Sequence, residues 1–289
     1  MLLRKFLLVC FIAVAAASCK KEEATSGGNQ VVAAVNYTNI AYGTDALQKM
    51  DVYLPAGRKI DSTKVMILIH GGAWSSGDKT DFASFIDTLK RRWPAYAIFN
   101  INYRLSALGV NLFPTQELDT KAAVEFIYSK KSEYLISGNF TTVGASAGAH
   151  LALLQAYKYA APEKIKIAVD FFGPTDMNDL YNNPGLVPQA TVSNIVGATP
   201  TSNPALYFQS SPINYATSSG ACPTIILQGS ADPLVNATSQ SWALRNKLEL
   251  EGVPVQYVEY AGGGHGNWSN STYSDAFSKI QAFIELHNP

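Results

Sequence analysis

From Val31 onward the chain alternates short apolar runs with longer stretches in which apolar residues recur every three or four positions. Residues 64–70 (KVMILIH) and 96–102 (YAIFNIN) read as buried strands, as do 140–144, 165–172, 223–229 and 255–260. Helical spacing marks 81–92, 115–134, 147–161 and 238–251, and 274–287 closes the series as a last helix. Apolar strands separated by helices are the pattern of an α/β architecture, a mostly parallel sheet with helices on both faces. One segment breaks the alternation. Residues 173–221 are rich in Pro, Asn, Ser and Tyr and hold only short helical pieces, which predicts an insertion over one end of the sheet. Ligands bind at the carboxyl ends of the strands in such sheets, so the insertion is either a lid or pocket wall, or inert surface decoration.

Residues 1–30 follow another pattern. Arg4 and Lys5 precede an unbroken run of apolar and small residues over 6–18, too short to span a bilayer comfortably and ordered like a secretory signal. The run ends in Ala16-Ala17-Ser18-Cys19, followed at once by Lys20-Lys21-Glu22-Glu23. This junction resembles a bacterial lipobox, with Ala16 where Leu is usual; a plain signal peptide cut nearby is the alternative. The expected organisation is a signal peptide at 1–18, a lipidated Cys19 with a polar, Gly-rich tether through residue 30, and one domain over 31–289. The implied location is outside the cytoplasm, lipid-anchored to a bacterial membrane and periplasmic or cell-surface, with the anchor as the only membrane contact.

Composition narrows the partners. Hydrophobic residues make up 47% of the 289 positions and charged ones 15%, ample for a core and too apolar for disorder. With 22 basic and 22 acidic residues the formal charge is zero, and no basic stripe supports nucleic-acid binding. A neutral small molecule or a carbohydrate is a compatible ligand; oligomeric state leaves no trace in the sequence. Of the cysteines, Cys10 falls in the signal and Cys222 stands alone in the domain, opening an apolar run, as a buried structural thiol does. No Cys or His cluster has metal-site spacing.

The chemistry concentrates in two loops that follow strands. Gly144-Ala145-Ser146-Ala147-Gly148 leaves the strand at 140–144 and opens a helix, the context of a nucleophile elbow. By itself the pentapeptide reads equally as a Gly-rich turn, since chance yields it on the order of once in ten chains of this length. His70-Gly71-Gly72-Ala73-Trp74 follows the strand at 64–70, where a Gly-Gly turn brings backbone N–H groups close to a developing oxyanion. The N–H groups of Gly72, Ala73 and Ala147 are the expected donors, with His70 fixing the loop. A bland tight turn accounts for Gly71-Gly72 alone, but not for its pairing with an elbow.

Four histidines limit the choice of base. His70 belongs to the oxyanion loop, His150 lies one turn along the helix from Ser146, and His287 is near the C-terminus. His265, between glycines in AGGGHG after the last strand, is free to reach Ser146; a surface His in a Gly turn is the alternative. The acid falls between Ser146 and His265 in chain order, and Asp232 directly follows a buried strand end in GSADP. A helix-capping Asp is the bland reading of the same position.

These motifs, with Asn102-Tyr103-Arg104-Leu105, the 113–119 stretch, Ser211-Pro212 and the late GGGHG, resemble an α/β-hydrolase of the bacterial esterase group. That group is related to hormone-sensitive lipase, feruloyl esterases and carbohydrate esterases. The resemblance covers roughly residue 45 to the C-terminus and implies an eight-stranded sheet, two strands more than periodicity marks. It departs at Ala73, where HGGG has a third Gly (the HGGxW branch), and at Asn102, where Asp is common. The implied activity is hydrolysis of a carboxylic ester through an acyl-enzyme, without cofactor or metal, on short acyl or feruloyl esters, including those of polysaccharides. An amidase or formamidase of the same fold, and a non-catalytic surface binding protein on this scaffold, are the rival expectations. Trp74, Tyr181, Tyr207, Phe208 and Trp268 either line a pocket or fill the core.

Overall fold

The computed structural model of the chain describes residues 31–289. The expected signal peptide, Cys19 and tether lie outside the described residues. Eight strands form one sheet: β1 (Val35–Ala41), β2 (Lys49–Leu54), β3 (Lys64–Ile69), β4 (Tyr96–Ile101), β5 (Phe140–Ala145), β6 (Ile167–Phe171), β7 (Thr224–Gly229) and β8 (Val255–Tyr260). Their spatial order is β1-β2-β4-β3-β5-β6-β7-β8. From β4 to β8 every pairing is parallel, while β1 and β2 add antiparallel at one edge. The architecture is the α/β-hydrolase fold that the motifs imply.

The helices are α1 (Ala83–Arg92), α2 (Thr115–Ser129), α3 (Lys131–Tyr134), α4 (Ala147–Lys158), α5 (Met177–Asn182), α6 (Gln189–Val196), α7 (Pro204–Gln209), α8 (Ala243–Leu250) and α9 (Asn270–His287). Side chains alternate across each strand, so one face of β3 sends Val65, Ile67 and Ile69 toward Leu151 of α4 and Val124 of α2. Its other face sends Met66 and Leu68 toward Ile86 of α1 and Phe277 of α9. Both faces are therefore covered, which is why the central strands read as continuous apolar runs.

The two strands that periodicity missed sit at the exposed edge. Five of the seven residues of β1 are exposed and the other two half-buried, leaving no apolar run to find. In β2, Asp51 is buried because it pairs with Lys79 at 2.8 Å and accepts the N–H of Asn39. The predicted helix at 238–251 divides into a π-helical stretch, Ala237–Trp242, and α8. The 173–221 insertion carries α5, α6, α7 and a 3-10 turn at Pro212–Tyr215. Cys222 is a free, buried thiol, pushed up to about 12 by desolvation, as a structural cysteine is.

Candidate active site

Strand β5 ends in a turn that small residues alone permit. A Cβ on Gly144 would collide with the carbonyl of Gly148, and one on Gly148 with the carbonyls of Ile69 and His70. The two glycines let α4 start directly over the ends of β3 and β5. Between them Ser146 takes φ 55° and ψ −123°, a conformation costly for a non-glycine residue and held here by its surroundings. Its N–H donates to the carbonyl of Phe171 on the next strand at 2.8 Å. The elbow thus raises the Ser146 hydroxyl above the sheet at the N-terminus of α4.

The three residues proposed from the sequence meet in one line. The Ser146 hydroxyl lies 2.8 Å from His265 Nε2, and His265 Nδ1 lies 2.7 Å from Asp232 Oδ2. A carboxylate can only accept, so Nδ1 carries the proton and Nε2 is left to accept from Ser146. The Asp232 side chain is 0% exposed and that of His265 15%. Burial raises the Asp232 pKa, but the hydrogen bond and charge of His265 and the N–H groups of Val235 and Leu234 outweigh it, holding the carboxyl below its usual range. Asp232 does not cap the following helix, whose N-cap is Asn236; its two oxygens serve a turn and the imidazole instead. Oδ1 caps the turn by accepting from Leu234 and Val235 at 2.8 and 3.0 Å, and Oδ2 faces His265.

The 70–74 loop runs beside the elbow, where a Cβ on Gly71 would meet Ala145 and Ser146. Gly72 has φ +105°, where a Cβ would overlap the Ser76 backbone, and Ala73 and Trp74 follow at φ 48° and 57°. The N–H groups of Gly72 and Ala73 have no acceptor among the described residues, and Ala147 is the first residue of α4, outside the helical ladder. All three are available to an oxyanion beside Ser146. His70 props the loop: its ring stacks on Tyr103 at 4.3 Å and its Nδ1–H donates to the Gly71 carbonyl. Burial lowers its pKa, consistent with a neutral, structural ring. The Tyr103 hydroxyl in turn donates to the carbonyls of His70 and Gly71. Arg104 grips Asp119 through Nε and Nη2, tying the 102–105 and 113–119 segments into one brace.

His150 is a packed helix residue. Its Nδ1 accepts from Trp74 Nε1 at 3.1 Å and its Nε2 donates to the Ser210 carbonyl at 2.7 Å. Complete burial drives its pKa to about 4, so it stays neutral and cross-links the oxyanion loop to the insertion.

Over Ser146 lies an open pocket of about 370 Å³, walled by Trp74 and His265 and, from the insertion, by Pro174, Leu180 and Val187. The insertion is therefore a pocket wall. Of the aromatic residues in question Trp74 alone lines this pocket; Tyr207 is core, Phe208 is exposed, and Trp268 packs against Phe172 at 5.2 Å. Gln228 was not anticipated. It is buried in β7, and its Nε2 donates to Asp232 Oδ2 at 3.0 Å while its Oε1 accepts from Ser241. A glutamine inside the apolar run TIILQG was the available signal. Among the described residues no group of His, Cys, Asp or Glu is arranged to hold a metal.

One buried acid stands apart from the line. Asp170 on β6 is fully buried, with Oδ1 accepting from Gly173 N–H at 2.7 Å and Oδ2 unpartnered. Burial raises its pKa to about 7, with the Gly173 N–H pulling the other way. An unfolded Asp titrates near ~3.9, so the folded state binds more protons across roughly pH 4 to 7. Stability should fall as pH rises through that window and level off above it. Asp170→Asn removes this loss, so its melting temperature should gain on that of the wild type between pH 4 and 7. A difference that does not change with pH would rule out a proton on Asp170.

A BD-FAE family model matches residues 50–248. The chain is 27% identical over 251 residues to the esterase LipQ of Mycobacterium tuberculosis, a match covering 80% of this chain and 57% of LipQ. It therefore spans little more than half the length of that relative. Among solved structures, a truncated carbohydrate esterase from gut microbiota superposes with a TM-score of 0.71 at 23% identity, covering 86% of this chain and 96% of that one. A bifunctional GH43-CE protein of Bacteroides eggerthii superposes with a TM-score of 0.72 at 26% identity, covering 88% of this chain and 38% of that one.

Proposed function

The chain belongs to the BD-FAE family, and on that footing we propose that it is a serine hydrolase of carboxylic esters. The observation that carries this is the unbroken line from the Ser146 hydroxyl through His265 to a buried, ionised Asp232. His265 Nε2 takes the Ser146 proton as Oγ attacks the ester carbonyl, and charge collects on an oxygen facing the N–H groups of Gly72, Ala73 and Ala147. Collapse breaks the bond to the alcohol, which leaves with the proton from His265. Water then enters, gives its proton to His265, and attacks the acyl-serine. The acid departs, and Ser146 recovers its proton. Asp232 keeps the imidazole in the tautomer this cycle needs and offsets its transient charge. A connected line of this kind has no use in a purely binding scaffold, where the strain at Ser146 would serve nothing.

For substrate we propose short acyl or feruloyl esters, including those carried by polysaccharides. The neutral charge balance, the open pocket over Ser146 and the resemblance to carbohydrate esterases support that choice. The lipobox-like junction at Cys19 supports export and lipid anchoring in the same scheme. Initial rates on nitrophenyl acetate, butyrate and octanoate test the activity. Turnover of acetate and butyrate well above octanoate is expected. A folded chain that hydrolyses none of them would overturn the proposal.

A further inference from the structure

The pocket over Ser146 has a neighbour on the other side of the elbow. A cavity of about 150 Å³ opens between the sheet, α1 and α9, with Phe82, Phe85, Leu89, Phe171, Tyr273 and Phe277 around it. It lies at the carboxyl ends of β3, β5 and β6, where this class of fold binds its ligands. Gly71, Ala145 and Phe172 line both spaces. Those three residues surround the elbow, so the two spaces meet beside the nucleophile.

The chemistry of ester cleavage divides these spaces between the two arms of the substrate. The leaving oxygen must come within reach of His265 to take its proton. His265 lines the open pocket and is absent from the walls of the cavity. The alcohol arm therefore occupies the pocket, and the acyl arm points away from His265, across Gly71 and Ala145. We propose that the cavity between α1 and α9 is the acyl subsite, taking an uncharged apolar arm up to the size of a benzene ring, with Phe172 setting its entrance, so that of the two acyl classes above it selects the short one over the larger feruloyl group. This rests on the esterase reading above.

The cavity fits that cargo. Apolar cavities of about this volume stay dry and accept benzene. Its walls are almost wholly apolar, with Asp81, exposed, as their one charged residue, so an acyl arm bearing a carboxylate would be desolvated with no cation to meet it. The entrance is preformed. Phe172 has φ 47°, an outlier for a bulky residue, and its N–H is tied to the Leu227 carbonyl at 2.9 Å. Its ring rests on His265 at 4.7 Å and on Trp268 at 5.2 Å. The residue that divides the two arms thus also supports the catalytic base.

Phe85 offers the test. It is half-buried on α1, with Tyr273 and Phe277 at 5.0 and 5.5 Å, and it does not line the pocket over Ser146. The readout is the ratio of kcat/KM for nitrophenyl phenylacetate to that for nitrophenyl acetate, in the full chain. Phe85→Trp narrows the cavity and should lower this ratio at least tenfold, the order of discrimination that a change of a few carbons in an apolar pocket gives. Phe85→Ala widens it and should raise turnover of the naphthylacetyl ester relative to phenylacetyl; this variant decides the matter if the tryptophan is not tolerated. Ratios equal to wild type in both variants, with acetate still hydrolysed, would overturn the subsite and leave the esterase standing. A wild type that cleaves none of these esters would remove both.

Discussion

Ser146→Ala should lower kcat by about six orders of magnitude, because the nucleophile of a hydroxyl–imidazole–carboxylate unit has no substitute within reach. The Gly72, Ala73 and Ala147 N–H groups would still hold the carbonyl oxygen, so a residual rate about 10³–10⁴ above that in water should persist. The fold should be untouched. Alanine keeps the backbone of the elbow and loses one hydroxyl, whose hydrogen-bond partner, His265 Nε2, remains open to water in the pocket. A variant that melts with the wild type yet retains only that small residual rate is the expected result. Loss of only ten- or a hundredfold would mean that another group performs the attack.

Asp232→Asn should cost about 10⁴ in kcat, and the reason lies in how the carboxylate is shared. Each oxygen accepts from two donors: Leu234 and Val235 N–H on Oδ1, Gln228 and His265 on Oδ2. An asparagine must present its NH₂ to one of these pairs. Turning it toward the backbone would orphan two fixed N–H groups, at roughly 1–3 kcal/mol each. His265 escapes more cheaply by moving its proton from Nδ1 to Nε2. That tautomer donates toward Ser146 and can no longer accept its proton. The variant should therefore show a collapsed kcat with KM little changed, and some loss of stability from the Gln228 contact. A variant within tenfold of wild type would show that Asp232 only caps its turn.

Much of this was legible along the chain, for a physical reason. Buried strands between helices leave continuous apolar runs, and six of the eight strands appear that way; β1 and β2 do not, because one is mostly exposed and the other buries a charged pair. The elbow and the oxyanion loop announce themselves through small residues forced by close backbone approach, and the base through its place after the last strand among glycines, two of which take positive φ. Other features depend on contacts distant in sequence. Tyr103 under His70, Gln228 behind Asp232 and Trp74 on His150 join residues whose meeting is set by strand register and helix packing. Phe172 reads as the end of an apolar strand, and its place between two pockets follows from the turn after β6. No local pattern records it.

The nucleophile itself is the most direct point of test. The full chain should be incubated with a fluorophosphonate, digested, and the modified peptide identified by mass spectrometry, with Ser146→Ala treated in parallel. Label on Ser146 in the wild type and none in the variant is the expected result. A folded wild type that stays unlabelled, or carries the label on another residue, would contradict a live Ser146–His265–Asp232 line.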